Sequence, residues 1–369
     1  MENLDHRVAV VGGGYAGMAA AVTLAAAGVR VVVFEAGPVP GGRARRVRAH
    51  GHELDNGQHI LIGAYVELLR IMQLVGVPAD TVLRIPLELR YADGFALRAL
   101  WLPAPLGLLG GLLLARRVPL TERIGAVRFM RALAALGYRV APDCAVSELL
   151  ARHGQDGRIG RYLWRPLCIS ALNTAPEQAS ANVFLAVVRD GLAGEPEASD
   201  LLLPRADLSQ LFPERAAEFV SARGGEVRTG STVGTIEPGL RVDDEAYSHV
   251  ILAVAPYQLK PFAPLLGDLP EYTYQPIYTC YIQYPAHVKL PFPMLGLSEG
   301  LVQWAFDRGV LGGKLGLVSC MISAQGEHQK MTHEALAATC HRELKGVLKA
   351  LPEPEWSQVI AEKRATFTC

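Results

Sequence analysis

Two groups of residues near the N-terminus have types and spacings that could do chemistry. The first is Gly12-Gly13-Gly14-Tyr15-Ala16-Gly17, a G-x-G-x-x-G run, with Glu35 placed 18 residues beyond Gly17 and Ala36 next to it. Glycine permits a tight turn at Gly12, lets a pyrophosphate approach the backbone at Gly14 and lets a helix pack closely at Gly17; the acid can accept both hydroxyls of a ribose. That is the chemistry of holding a dinucleotide, and a carboxylate at this place disfavours a 2′-phosphate, which argues against NADP. The second group is the stretch Asp55–Tyr65, which carries Asp55, Gly57, Gln58 and His59. A carboxyl and an imidazole are side chains able to hold or move a proton. Between the two, Gly41-Gly42-Arg43 offers a second glycine backbone and a bidentate cation suited to the same pyrophosphate.

The elements that must position these groups are legible around them. Val8–Val11 is a short, continuous apolar run, as in a parallel strand buried on both faces. Met18–Ala27 is alanine-rich and helix-forming, Gly28 ends it, and Val31–Phe34 reads as a second buried strand. The helix start supplies unpaired N–H groups and a partial positive charge for phosphates. Further on, Gly225–Ile236 alternates like a half-buried strand or hairpin, and Val250–Val254 reads as another buried strand. Tyr278–Tyr284, Leu301–Phe306 and Leu315–Ile322 are strand-like, and Thr332–Leu351 reads as a helix with Thr332 as N-cap. Proline-containing stretches at 78–86 and 196–204 mark boundaries, giving a discontinuous nucleotide-binding domain, 1–79 and 203–262, and a substrate domain, 80–202 and 263–369.

The extension of the glycine fingerprint through Gly41-Gly42-Arg43 resembles the flavin-containing amine oxidase and phytoene desaturase superfamily. The resemblance implies FAD as cofactor and an α/β fold: a Rossmann-type FAD-binding domain with a mixed-sheet and helical substrate domain. It also implies that a backbone edge near Val233 touches adenine, and that the loop carrying Gly57, Gln58 and His59 runs toward the isoalloxazine ring. The wording D-N-G-Q-H-x-L-I-G-A-Y over 55–65 is similar to that of hydroxysqualene dehydroxylases, the squalene-associated FAD enzymes of bacterial hopanoid synthesis. Trp164–Cys168, Ala171–Thr174, Ser199–Arg205 and Lys363–Phe367 add to the likeness.

What that family resemblance implies is a reductive dehydroxylation. The allylic hydroxyl of hydroxysqualene leaves as water, and reduced flavin delivers hydride from N5 to give squalene. A general acid would assist departure. His59 and Asp55 are the candidates because they sit on the flavin-facing loop; in the other reading Asp55 anchors the loop backbone and His59 hydrogen-bonds the flavin. A polyprenoid or carotenoid desaturase, running the flavin in the opposite direction, is the alternative on the same scaffold. A non-catalytic lipid-binding subunit is the alternative of another class. The family continues beyond the position of Cys369 into a segment that closes over the flavin, so the resemblance implies truncation at the C-terminus. Squalene-pathway enzymes are the neighbours it suggests.

Bulk properties narrow the rest. The chain has 369 residues, half of them hydrophobic, so a sizeable core is expected and disorder is not. Thirty-six cationic side chains balance 36 anionic ones, which gives no electrostatic case for a nucleic-acid partner. Six cysteines without C-x-x-C spacing read as free thiols in a reducing compartment, and no metal site is expected. The apolar run Val8–Val29 is interrupted by glycines and lacks a small-residue cleavage site, so it is not a signal peptide and the expected location is cytoplasmic. Ala99–Ala115 is strongly apolar, with Arg98, Arg116 and Arg117 at its ends, but prolines and glycines argue against a straight spanning helix. It is either a surface in peripheral contact with the cytoplasmic face of a membrane, the wall of a substrate tunnel, or an ordinary buried helix pair.

Overall fold

The computed structural model describes residues 7–102 and 105–369. The chain divides into two compact units. The first comprises the described residues up to Asn56 together with Val66–Thr81 and Ala206–Tyr272, and the second comprises Gly57–Tyr65, Val82–Arg205 and Thr273–Cys369.

The first unit is built on a four-stranded parallel sheet. Its centre is β1 (Arg7–Val11) beside β2 (Arg30–Glu35), flanked by the strand Glu226–Thr229 on the β2 side and the strand His249–Leu252 on the β1 side. Val8 to Val11 and Val31 to Phe34 are buried and run in register, Val8 against Val31 through Val11 against Phe34. Continuous valine is what a strand covered on both faces requires. Helix α1 (Tyr15–Ala26) crosses between β1 and β2 and buries Met18, Ala21, Val22 and Ala25. The expected strand or hairpin over 225–236 is one short strand, Glu226–Thr229, laid parallel on β2. Gly230, at φ +67°, ends it, and the chain beyond runs without regular structure.

The second unit is dominated by an antiparallel five-stranded sheet in the order Met294–Gly296, Trp304–Asp307, Leu317–Ser323, Tyr274–Gln283, Trp356–Phe367. The helix His333–Val347 buries Leu336, Ala337, Cys340 and Leu344, and Thr332 caps it by accepting the N–H of Ala335. It ends earlier than the expected Leu351, because Leu348 is already extended and Ala350 has φ +56°. The core of this unit's helical part lies among Leu108, Leu112, Phe129, Met130, Leu133, Trp164, Phe184 and Leu185.

Three segments fall in a different unit from the one expected. Gly57–Tyr65 lies in the second unit, not with the nucleotide-binding residues, because Leu61–Ile62 pairs antiparallel with Leu201–Pro204 and Gln58 is bonded into the large sheet. Leu203–Arg205 goes with it, since Leu201–Pro204 also pairs with Val82–Ile85. Residues 263–272 group with the first unit. Within 99–115 there is one helix, Leu106–Leu114, packed on a second, Leu120–Ala135. Residues 103 and 104 of this stretch lie outside the described residues. Among the described residues, no helix is long and apolar enough to cross a membrane.

Candidate functional site

The glycine run forms the turn between β1 and α1, and each expected role has a steric counterpart. Gly12 has φ +109°, and a Cβ there would lie 2.6 Å from the Ala253 carbonyl oxygen. A Cβ on Gly17 would lie 1.8 Å from the Gly12 oxygen, so only glycine lets the first turn of α1 seat on the loop. At Gly14 the nearest atom to a Cβ is the Gly42 Cα at 3.8 Å, leaving room above the helix start. Gly14 is the N-cap and has no side chain to satisfy the first N–H groups of α1, and the first turn carries no acid. Those donors have no intrahelical partner by the geometry of any α-helix, which suits them to an anion.

The second glycine pair folds onto the same turn. The Gly41 N–H donates to the Gly13 carbonyl at 2.9 Å, and a Cβ on Gly42 would lie 3.1 Å from the Gly14 Cα. Arg43 is exposed, and its carbonyl accepts the Asn56 side-chain amide at 3.0 Å; the neighbouring Arg45 donates to the Gly42 carbonyl at 2.9 Å. Glu35, at the end of β2, turns its carboxylate between the two loops. One oxygen accepts the Gly13 N–H at 2.8 Å and the other the Gly37 N–H at 2.7 Å. Each carboxylate oxygen has a further lone pair. Ala36 beside it is exposed. Ser231 N–H bonds the Glu35 carbonyl at 2.9 Å, which carries the following irregular chain past the strand end, and Val233 is buried there with Phe34, Val242 and Tyr247.

Other residues of the first unit hold this cradle without touching its open side. Tyr15 and Ala16 begin α1, but the Tyr15 side chain is committed inward: its hydroxyl donates to the Leu208 carbonyl at 2.8 Å and its ring packs on Phe212. Burial, then the charges of Asp55 and Asp207, push its pKa far up, so it stays a neutral hydrogen-bond donor. Asp55 is 2% exposed, and its Oδ1 accepts the Leu208 N–H at 2.7 Å. This is the anchoring geometry. Arg46 binds Asp207 at 3.3 Å and Glu214 at 2.7 Å, and Ser209 bonds both the Arg46 N–H and the Pro40 carbonyl. Sequence reasoning missed Asn56, Arg46 and Ser209. The signal available was Asp207, an N-cap whose side chain accepts the N–H groups of Ser209 and Gln210.

In the second unit, Gly57, Gln58 and His59 form a loop tied to the large sheet. The Gln58 N–H donates to Thr279 Oγ1 at 3.2 Å, and its side-chain oxygen accepts from Arg308 at 3.2 Å and Ser319 at 3.1 Å. Its amide nitrogen donates to the His59 carbonyl at 3.0 Å. The Gln58 side chain, expected at a cofactor, is thus spent on holding its own loop. Gly57 has φ +103°. His59 is half-buried with Nδ1 2.8 Å from the Gly57 carbonyl. A carbonyl only accepts, so Nδ1 carries the hydrogen and Nε2 is the nitrogen that can gain or release a proton. Asp55 and His59 therefore belong to different units and play different structural parts. Two segments that carried the resemblance do meet: Asn173, in the left-handed conformation, donates to the Pro276 carbonyl and to Thr366 Oγ1, both at 3.1 Å, and accepts the Ala324 N–H at 2.6 Å.

A strand–turn–helix with two interlocked glycine loops, a free helix start and a carboxylate at the neighbouring strand end fits a flavin nucleotide, and the molecule is a flavin-dependent oxidoreductase: over residues 15–361 the chain belongs to the flavin-containing amine oxidoreductase family. Within it the chain falls in the group of hydroxysqualene dehydroxylases. It is 30% identical to the hydroxysqualene dehydroxylase of Rhodopseudomonas palustris over 99% of this chain and 87% of that protein. It is 27% identical to that of Sinorhizobium fredii over the same shares. A zeta-carotene desaturase from Synechocystis is 25% identical over 68% of this chain and 56% of its own length. Among solved structures, a triple variant of putrescine oxidase superposes with TM-score 0.72 at 18% identity, over 98% of this chain and 87% of that one. An oxidoreductase from Methanosarcina mazei superposes with TM-score 0.68 at 17% identity, over 96% and 87%. At these identities the solved structures speak for the fold alone.

Proposed function

We propose that the chain binds FAD and reductively dehydroxylates hydroxysqualene to squalene. The observation that carries the substrate is the similarity to hydroxysqualene dehydroxylases along almost the entire chain. The choice of the dinucleotide FAD rests on the cradle. Glu35 at the strand end suits a ribose, and the stacked Gly14 and Gly42 backbones leave room for a pyrophosphate above an uncapped helix.

When bound, reduced flavin supplies the hydride that replaces the departing hydroxyl. The rest of the work falls to the chain. In atoms, R–OH, one hydride and one proton become R–H and water. The proton must come from a group near the leaving oxygen, and His59 is assigned to it through Nε2, with Nδ1 fixed on Gly57. Asp55 is assigned the anchoring part that its bond to Leu208 supports.

The test is anaerobic incubation of the protein with photoreduced FAD and hydroxysqualene, with product analysis. Squalene is the expected product. The similarity to zeta-carotene desaturases supports a second reading, a polyprenoid desaturase; it predicts no squalene, and new conjugated double bonds when oxidised flavin and a polyprene are supplied. His59→Ala should slow the single-turnover step about 100-fold or more with the flavin absorbance retained. An unchanged rate removes His59 from the reaction.

A further inference from the structure

We infer that the helix pair of the second unit, Leu106–Leu114 and Leu120–Ala135, with the preceding irregular residues Trp101 and Leu102, is a docking face for an anionic lipid bilayer. The first observation is where exposed apolar side chains gather. Among the described residues, seven of the twenty large exposed hydrophobics fall within 101–124: Trp101 (86% exposed), Leu102, Leu106, Leu113, Leu114, Leu120 and Ile124. They are not loose. The opposite face of the first helix is fixed, with Leu108 and Leu112 buried and Gly107 and Gly111 so close to the 98–102 backbone that a Cβ on either would lie 2.5 Å from a carbonyl oxygen. Arg123 holds the end of that helix by donating to the Val118 carbonyl at 2.7 Å and the Leu113 carbonyl at 3.2 Å. A rigid, greasy ridge is the result.

The second observation is charge. The whole chain is neutral, yet residues 98–140 hold seven arginines and one carboxylate, Glu122, which is occupied by the Ile159 N–H. Arg116, Arg117, Arg128, Arg131 and Arg139 are exposed, and no carboxylate lies in salt-bridge range of them among the described residues. On the second helix the two properties share one stripe: Leu120, Ile124, Arg128 and Arg131 stand at i, i+4, i+8 and i+11, opposite the buried Ala126, Phe129, Met130 and Leu133. Apolar side chains at one end of a stripe and guanidinium groups at the other match the acyl boundary and the phosphate layer of a leaflet. A protein partner would need acids to meet those arginines and an apolar surface to meet the ridge; the leaflet supplies both over its whole extent. A cavity of about 590 Å³ opens beside the ridge, lined by Leu100, Trp101 and Leu102 and also by Glu195, Glu197 and Asp200, so the attraction to an anionic surface must come from the arginines of the second helix and not from this side. The inference rests on the second unit alone and stands apart from the reaction proposed above.

The full chain, without substrate, is mixed with vesicles of phosphatidylcholine alone and of phosphatidylcholine with phosphatidylglycerol, then sedimented. Expected is partition to the anionic vesicles that weakens as salt rises from about 0.1 M to about 1 M, where the screening length falls from about 10 to about 3 Å. Trp101 fluorescence should be quenched by brominated lipid, and Trp101→Phe should lose that quenching while keeping the binding. Arg128→Glu with Arg131→Glu should lower partition about tenfold or more, and Leu114→Ser with Leu120→Ser should abolish what remains at high salt. All four side chains are exposed, so melting temperatures should hold; if one pair melts early, the Trp101 quenching decides alone. Equal binding by both variants and wild type, absence of quenching, or a dimer in sedimentation that these substitutions dissociate would overturn the proposal. Because no turnover is read, failure here leaves the dehydroxylation proposal standing.

Discussion

The two units are specified by different kinds of information. In the first, the groups that line the cradle are local: glycines with forbidden Cβ positions at 12 and 17, a run of valines on either side, and Glu35 bonded to two glycines, one of them two residues away; only its outer braces, Tyr15 to Leu208 and Arg46 to Glu214, reach 193 and 168 residues along the chain. In the second, the polar groups that fix the architecture come from far along the chain. Asn173 reaches partners 103, 151 and 193 residues distant, and Gln58 reaches partners 221, 250 and 261 residues distant. The lining of the first unit's cradle is encoded by backbone conformation and braced from behind by side chains, whereas in the second unit the loop side chains themselves are clamped by groups that only the tertiary fold brings together.

That contrast can be broken by substitution. The largest expected loss is at Asn173. Asn173→Ala removes three hydrogen bonds, two buried and one part-buried, at about 1 kcal/mol each and leaves alanine in a left-handed conformation at about a further 1 kcal/mol. The urea midpoint should fall by the equivalent of about 3–4 kcal/mol. Gly17→Ala puts a methyl 1.8 Å from the Gly12 oxygen and should cost about 3 kcal/mol, with loss of flavin from the purified protein. If Gly17→Ala keeps its yellow colour and stability while Asn173→Ala falls, the glycine cradle is softer than its geometry indicates and the contrast fails.

The sequence made the first unit legible because strand, turn, helix and acid lie within about thirty residues at fixed spacing, and all four elements are where they were expected. The expected strand at 250–254 is present but runs from His249 to Leu252, two residues short of the expected end, and Thr332 caps its helix as the sequence indicates. What could not be read was the destination of Gly57–Tyr65. Its glycine, amide and imidazole look like ligands, and nothing local says that Thr279, Arg308 and Ser319 will take the Gln58 amide. For Asp55 the sequence leaves a proton-transfer part and an anchoring part both open, and only the fold supplies the burial and the bond to Leu208 that support anchoring. The apolar stretch at 99–115 stands out in the sequence, but only the fold separates the buried Leu108 from the exposed Leu114.

A smaller effect sharpens the role of Glu35. Glu35→Gln keeps size and one acceptor but sets an NH₂ against the N–H of Gly13 or Gly37. Exchanging a charged acceptor for a neutral, partly mismatched one is worth about 1.5 kcal/mol or more, so flavin should bind about tenfold more weakly in a fluorescence titration. Folding should change little, because the sheet beneath is apolar. Unchanged affinity would place the ribose elsewhere.

The smallest effect is a pH dependence in the second unit. His328 is 2% exposed, its ring meets Tyr278 edge-on, and its Nε2 has no hydrogen-bond partner. Burial lowers its pKa, opposed only by the nearby Cys340. The folded protein therefore resists a proton that the unfolded chain accepts near pH 6.5. Above that pH both states are neutral and the stability is fully present; as pH falls below it, only the unfolded state gains a proton, and stability drops until the folded ring titrates too. His328→Phe keeps the edge-on ring contact and removes the titration. The urea midpoint of the wild type should fall more steeply than that of the variant between pH 7.5 and pH 5, and parallel curves would show that the ring takes up its proton without leaving the core.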